Sequence, residues 1–336
     1  MISYLPVHPG MRSFVRRDKP MLLKKISIWI LKLIMILCIF SCRENKEQEL
    51  IMDRVKTLDL SSYSSAMPEN PVHLLFIHHS TGGQLLTDMG PDVGQDCIYQ
   101  THPNGGGLRK LLEKNNYIVH EASYKSIVGD KTDICDWNAK FRKHMEKILV
   151  CRNQDEFFTD GTQNKIIIFK SCFPNNMIEL DGSLPGNPDS CEKTLLNAKA
   201  SYMALLPYFK NHPDILFIAF TAPPVAKPVQ YKKDKIIQSL KAILNRPDTV
   251  EKIGRRARVF NNWLKDVENG WLKGYELKNV VVFDYYDILT GKGKSDWSAY
   301  PTRNGRDSHP SSEGNKLAAK EFLPFLNSSL QRMGSQ

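Results

Sequence analysis

The sequence predicts an α/β fold, a three-layer sandwich whose central sheet has five mostly parallel strands. Two observations carry this. From Val72 onward, short apolar runs alternate with longer amphipathic stretches, the pattern left by strands joined through crossover helices. The runs are also continuously apolar, as in Ile166 to Phe169, which marks strands covered on both faces.

The five strands are expected at Val72 to His78, Tyr117 to Ala122, Lys165 to Lys170, Ile215 to Phe220, and Val280 to Asp284. Helices are expected at Gly107 to Lys114, Ile134 to Val150, Glu192 to Phe209, Val250 to Val267, and Ser312 to Leu330. In the last of these, Leu317, Ala318, Phe322, Phe325 and Leu326 recur at helical spacing with Lys316, Lys320 and Glu321 between them, a stripe suited to packing on a sheet. Ser311 is placed to cap its first turn and Glu313 to meet the positive end of the helix dipole. The connections Leu85 to Gly106 and Pro223 to Asp248 are long and rich in Pro, Gly and polar residues, and such excursions at strand ends often line a site. No internal repeat or low-complexity tract is present.

With 336 residues, 41% apolar and 24% charged, the chain has an ordinary globular composition. The formal charge of +10 is concentrated at the amino terminus. Seven Lys or Arg against one Asp in the first 42 residues hold +6 of it, leaving +4 for the rest. That surplus, without a dense basic run, gives no electrostatic case for nucleic acid as a partner.

Lys24-Lys25, the apolar run Ile26 to Phe40, and Ile39-Phe40-Ser41-Cys42 resemble a bacterial lipoprotein signal. The run is short for a membrane span and contains Lys32. The expected organisation is therefore a signal region over 1–42 cleaved before Cys42, a polar tether over 43–71, and a domain over 72–332. Cys42 would carry the lipid that holds the protein to the bacterial cell envelope. Five cysteines follow it: Cys97, Cys135, Cys151, Cys172 and Cys191, none in a CxxC spacing. Cys172 and Cys191 flank one loop and are the expected pair, with free buried thiols as the alternative.

Two segments carry chemistry-bearing residues. Phe76-Ile77-His78-His79-Ser80-Thr81-Gly82-Gly83 places a hydroxyl at a tight turn after a strand, where glycine would admit a substrate and free amides could hold an oxyanion. Arg306-Asp307-Ser308-His309-Pro310 offers the base that a serine nucleophile needs. His78 and His79 suggest a metal, but adjacent strand residues point to opposite faces, so no metal is expected. Gly105-Gly106-Gly107 lacks the Gly-Lys-Ser/Thr of a phosphate loop and reads as a flexible loop.

These residues resemble the SGNH hydrolase superfamily, the GDSL esterases and lipases, over roughly Val72 to Leu330. Ser80 matches the block I nucleophile, with His78-His79-Ser80 where the family usually has Gly-Asp-Ser. Gly129, in Ser126-Ile127-Val128-Gly129-Asp130, matches the block II glycine of the oxyanion hole. Asn175, or its neighbour Asn176, takes the place of the block III asparagine. Asp307 and His309 resemble block V, two residues apart where the family has three. The resemblance implies a flavodoxin-like sandwich and a metal-independent serine esterase without cofactor. Ser80 would attack, His309 would act as base, and Asp307, a backbone carbonyl or Asp284 would orient the ring. The Ser80 amide, the Gly129 amide and Asn175 would hold the oxyanion. The implied substrate is an acylated, most simply O-acetylated, carbohydrate or another ester. The altered block I and the shortened Asp-His spacing also motivate a different expectation, a catalytically lapsed lipoprotein that binds glycan or protein.

Overall fold

The computed structural model describes residues 55–228 and 250–335. The signal region 1–42, Cys42 and most of the Pro223 to Asp248 connection lie outside the described residues.

The central sheet has seven strands: β1 (Val72–Ile77), β2 (Tyr117–Ala122), β3 (Cys151–Asn153), β4 (Glu156–Phe157), β5 (Ile166–Lys170), β6 (Leu216–Phe220) and β7 (Val280–Phe283). They run in the order β7-β6-β5-β1-β2-β3-β4, all parallel except the β3-β4 hairpin. The expected count of five is thus corrected to seven. The added pair is an edge hairpin of two and three residues, too short and polar to leave an apolar run in the sequence.

Each long strand divides its side chains between two cores. Leu75, Ile77, Ile167, Phe169, Phe217 and Ala219 pack with Trp137, Phe141, Tyr202 and Phe209 on one face. Leu74, Phe76, Ile166, Ile168, Leu216 and Phe220 pack with Leu108, Leu112, Phe322 and Leu326 on the other. The two-residue period of a strand makes this division, and its continuously apolar sequence lets both sides be buried.

The helices are α1 (Ser80–Leu86), α2 (Leu108–Glu113), α3 (Asp136–Leu149), α4 (Leu195–Met203), α5 (Leu206–Lys210), α6 (Val250–Lys265), α7 (Tyr285–Leu289) and α8 (Ser312–Gly334). Among the described residues, no helix is long and apolar enough to cross a membrane. The helix expected over Glu192 to Phe209 starts later and is split into α4 and α5 at Ala204-Leu205, with Pro207 opening the second piece. Ser311 caps α8 by accepting from the Gly314 amide, as its placement predicts.

The excursion after β1 folds into a small sheet of Asp88–Met89, Val93–Gln95 and Ile98–His102. Gly105 and Gly106 are buried beneath it, where a Cβ would meet Asp88 backbone at 2.2 Å and the Leu85 carbonyl at 2.7 Å. Tight packing, not flexibility, accounts for these glycines.

Residues 55–71, read from sequence as part of a tether, lie against the domain. The Lys56 carbonyl accepts from the Val267 amide at 2.8 Å, and Leu58 packs on the core beside α8. Asn327 donates to the Ser65 carbonyl at 2.8 Å, and Asn116 to that of Pro68 at 2.8 Å.

Candidate active site

The chain leaves β1 toward β2 on one side, then returns to build β5, β6 and β7 on the other. The carboxyl ends of β1 and β5 therefore flank the switch point, where ligands of such sheets bind. Ser80 opens α1 just beyond β1, while Lys170 ends β5 and is followed by Ser171-Cys172.

His309 reaches this point from a short strand, Asp307–Pro310, paired with Pro301–Thr302. The strand is fixed further by the Ala226 amide, which donates to Ser308 Oγ at 2.9 Å. His309 Nε2 lies 3.0 Å from Ser80 Oγ, and Nδ1 lies 2.6 Å from Asp307 Oδ1. Because a carboxylate only accepts, Nδ1 carries the proton and Nε2 is left to accept from the Ser80 hydroxyl. Asp307 Oδ1 also accepts from the His309 amide at 3.0 Å, and Arg303 Nε stands 3.7 Å from Oδ2. Burial opposes the Asp307 charge, but the His309 donors and Arg303 outweigh it and hold the carboxyl below its ordinary range. Phe173 packs edge-on against the His309 ring at 5.0 Å. Asp284 is elsewhere, paired with Lys265 at 2.5 Å.

The two histidines before Ser80 diverge. His78 is fully buried, with Nε2 3.0 Å from Glu121 Oε2 and Nδ1 3.0 Å from the His79 carbonyl; Arg109 pairs with the other Glu121 oxygen. His79 turns the other way, donating from Nε2 to the Gly129 carbonyl at 3.0 Å and stacking on Tyr124 at 3.6 Å. Burial pushes His79 down to about 4. They tie the Ser80 turn to β2 and to the following loop.

Gly82 and Gly83 are also packing residues. A Cβ at Gly82 would meet His78 Cβ at 2.3 Å, and one at Gly83 would meet the Cys97 carbonyl at 2.1 Å. Neither faces an incoming substrate, because α1 buries both.

Two of the three donors expected around an oxyanion, Gly129 and Asn175, are engaged elsewhere. The Gly129 amide donates to Ser126 Oγ at 2.8 Å. Asn175 donates to Asp133 Oδ1 at 2.8 Å and to the Cys172 carbonyl at 3.2 Å, and accepts from the Ile134 amide at 2.8 Å. Asn176 is buried, donating to the carbonyls of Ala222 and Pro223. The Ser80 amide sits in the first turn of α1, where backbone donors have no partner within the helix.

Three neighbours of Ser80 escape a reading of the sequence. Cys172 Sγ lies 3.7 Å from Ser80 Oγ and 3.4 Å from Thr81 Oγ1, and Lys170, fully buried, donates to Thr81 Oγ1. A lysine ending an otherwise apolar strand, Ile166-Ile167-Ile168-Phe169-Lys170, was the available signal. The disulfide joins Cys135 to Cys191, with Cα atoms 5.1 Å apart, and not Cys172 to Cys191. Cys172 is turned toward Ser80, whereas Cys135, at the start of α3, faces the 191 loop.

No family model matches the chain, and no curated protein matches it. Among solved structures it is similar to a carbohydrate esterase whose active site displays divergent catalytic and non-catalytic binding functions, at 16% identity over 78% of this chain, with a TM-score of 0.33. It is similar too to a family two carbohydrate esterase from Cellvibrio japonicus, at 12% identity over 79% of this chain and a TM-score of 0.33. A third likeness is the periplasmic domain of a lipopolysaccharide acetyltransferase from Salmonella ser. Paratyphi A, at 11% identity, 83% of this chain, 94% of that one and a TM-score of 0.34. The chain spans 66% and 63% of the two carbohydrate esterases. Scores this low leave the assignment to the site itself.

Proposed function

We propose that this protein is a serine-dependent ester hydrolase of the SGNH type, with Ser80 as nucleophile, His309 as base and Asp307 as its orienting acid. One observation carries the reading: an unbroken line from Asp307 Oδ1 through both His309 nitrogens to Ser80 Oγ, at 2.6 and 3.0 Å. In this reaction Ser80 Oγ attacks the acyl carbon while Nε2 takes its proton, and Asp307 stabilises the imidazolium that forms. His309 then protonates the departing alcohol. A water, deprotonated by the same nitrogen, releases the acid.

The tetrahedral oxyanion would be met first by the Ser80 amide. Gly129 can join it only by releasing Ser126, and Asn175 only by releasing Asp133 or the Cys172 carbonyl. Removing one such donor typically costs about 100-fold or more in turnover. The substrate we infer is an O-acetylated carbohydrate, which rests on the family resemblance alone. By the same resemblance no metal or other cofactor takes part, and by the separate resemblance of residues 24–42 to a bacterial lipoprotein signal the protein is anchored to the cell envelope through lipid on Cys42.

The test is hydrolysis of p-nitrophenyl acetate by the full-length protein in detergent, with release of acetate from acetylated polysaccharides as the second assay. Ser80→Ala should abolish both, and EDTA should change neither. Equal rates in wild type and Ser80→Ala would sink the serine mechanism.

The occupied Gly129 and Asn175 donors favour one alternative, a lapsed member of the family that binds glycan. It predicts no hydrolysis by the wild type and glycan binding that Ser80→Ala leaves intact.

A further inference from the structure

We propose that Cys172 is a modification site, a thiolate paired with buried Lys170 that takes soft electrophiles and hydroperoxides and whose modification occludes Ser80. The occlusion rests on the reading of Ser80 as nucleophile; the reactivity of the thiol does not.

Lys170 has no exposed surface. Its ammonium donates to Thr81 Oγ1 and to the Ser171 carbonyl at 3.2 Å, and lies 3.9 Å from Cys172 Sγ. Burial pushes the Lys170 ammonium below its ordinary value, and among the described residues the acids that oppose this are two thiols, Cys172 first and Cys97 second. A cation removed from water needs an anion or gives up its proton. Cys172 is the group in place to supply that anion.

The surroundings of the sulfur suit a thiolate. The Thr81 hydroxyl accepts from Lys170, so its own hydrogen is free to point at Sγ, 3.4 Å away. Burial alone would raise the Cys172 thiol, but Lys170 and the hydroxyl and backbone donors of Thr81 outweigh it and bring it below its ordinary value. The other free cysteines differ. Burial pushes Cys151 up to about 12 and also raises Cys97, despite the Tyr99 hydroxyl donating to it at 3.4 Å. Cys97 and Cys172 are both half-buried.

With a hydroperoxide, the Cys172 sulfur attacks the terminal oxygen and the O–O bond breaks. Sulfur is oxidised by two electrons to a sulfenic acid, and the leaving alkoxide or hydroxide takes the electron pair and then a proton from water. With a haloacetamide, an S–C bond forms and halide leaves. Either product adds atoms to a sulfur 3.7 Å from Ser80 Oγ, where the acyl group must approach.

The experiment follows peptide masses of the full-length protein in detergent during treatment with iodoacetamide near neutral pH. We expect Cys172 to be labelled at least tenfold faster than Cys97 and Cys151, and Lys170→Met to abolish the difference. Dilute hydrogen peroxide with dimedone should mark the same residue. Cys172 labelled no faster than Cys97 in the wild type overturns the proposal, whether or not Lys170→Met folds. Hydrolysis of p-nitrophenyl acetate should fall in step with labelling, and Cys172→Ala should make the remaining rate insensitive to the reagent. Full activity with Cys172 labelled overturns the occlusion. Absence of hydrolysis in untreated wild type would instead sink the serine mechanism and leave the labelling ratio to decide the thiol.

Discussion

Asp307 and His309 stand two residues apart on one short strand, and that spacing brings Asp307 Oδ1 within 2.6 Å of His309 Nδ1. Residues i and i+2 of a strand share a face. Asp307→Asn would put an amide donor against Nδ1 and drive the ring proton to Nε2, where it can no longer accept from Ser80. Turnover of p-nitrophenyl acetate should fall by about 10³ to 10⁴-fold with KM little changed. A fall of less than tenfold would remove Asp307 from the mechanism.

Asn175 and Ser126 separate a catalytic from a structural role for the second and third oxyanion donors. If Gly129 must leave Ser126 Oγ to act, Ser126→Ala frees that amide and turnover should hold or rise. Asn175→Ala should lower turnover by about 100-fold if the side chain swings onto the oxyanion. It should lower stability by about 1–2 kcal/mol if its bonds to Ile134, Asp133 and the Cys172 carbonyl are its whole role. Steady-state kinetics beside urea unfolding distinguishes the two.

Acid sensitivity should have a component traceable to His79. Burial holds its folded pKa at about 4, against about 6.5 in the unfolded chain. Between those values the unfolded chain binds more protons, so stability rises with pH, by at most about 1.4 kcal/mol per pH unit from this group. The contribution is complete above pH 6.5 and lost as pH falls toward 4. Urea unfolding of wild type and His79→Gln from pH 4.5 to 7 should show the wild-type advantage shrinking toward acid; a constant difference would exclude this source.

The Cys135–Cys191 bridge closes a loop spanning 56 positions. In the chain-entropy account such a link contributes about 4 kcal/mol. Cys135→Ser should lower the unfolding midpoint accordingly, and a peptide map without reductant should join Cys135 to Cys191 while leaving Cys172 free. A Cys172–Cys191 peptide would contradict the arrangement around Ser80.

What could be read from sequence was whatever depends on burial along the chain. The five long strands fall within one residue of their expected limits because apolar runs such as Ile166 to Phe169 serve two cores at once. The β3-β4 hairpin left no such trace, being polar and turning at Gln154 with φ +51°. Ser80 and His309 could be singled out because one follows the first long strand and the other precedes the last helix. The engagement of Gly129 by Ser126 and of Asn175 by Asp133 was not, since a residue type reveals its capacity to donate and not the acceptor it finds. The expected Cys172–Cys191 pair fails for a related reason: nearness along the chain does not give distance in space, where Cys135 is the residue that meets Cys191, with Cα atoms 5.1 Å apart.

The strap formed by residues 55–71 sets where this fold can be cut. A truncation starting at Val72 would match the first strand yet strip acceptors from Val267, Asn327 and Asn116 and uncover the apolar patch beneath Leu58. Such a shortened protein should express poorly or aggregate, whereas one beginning ahead of Val55 keeps its belt fastened.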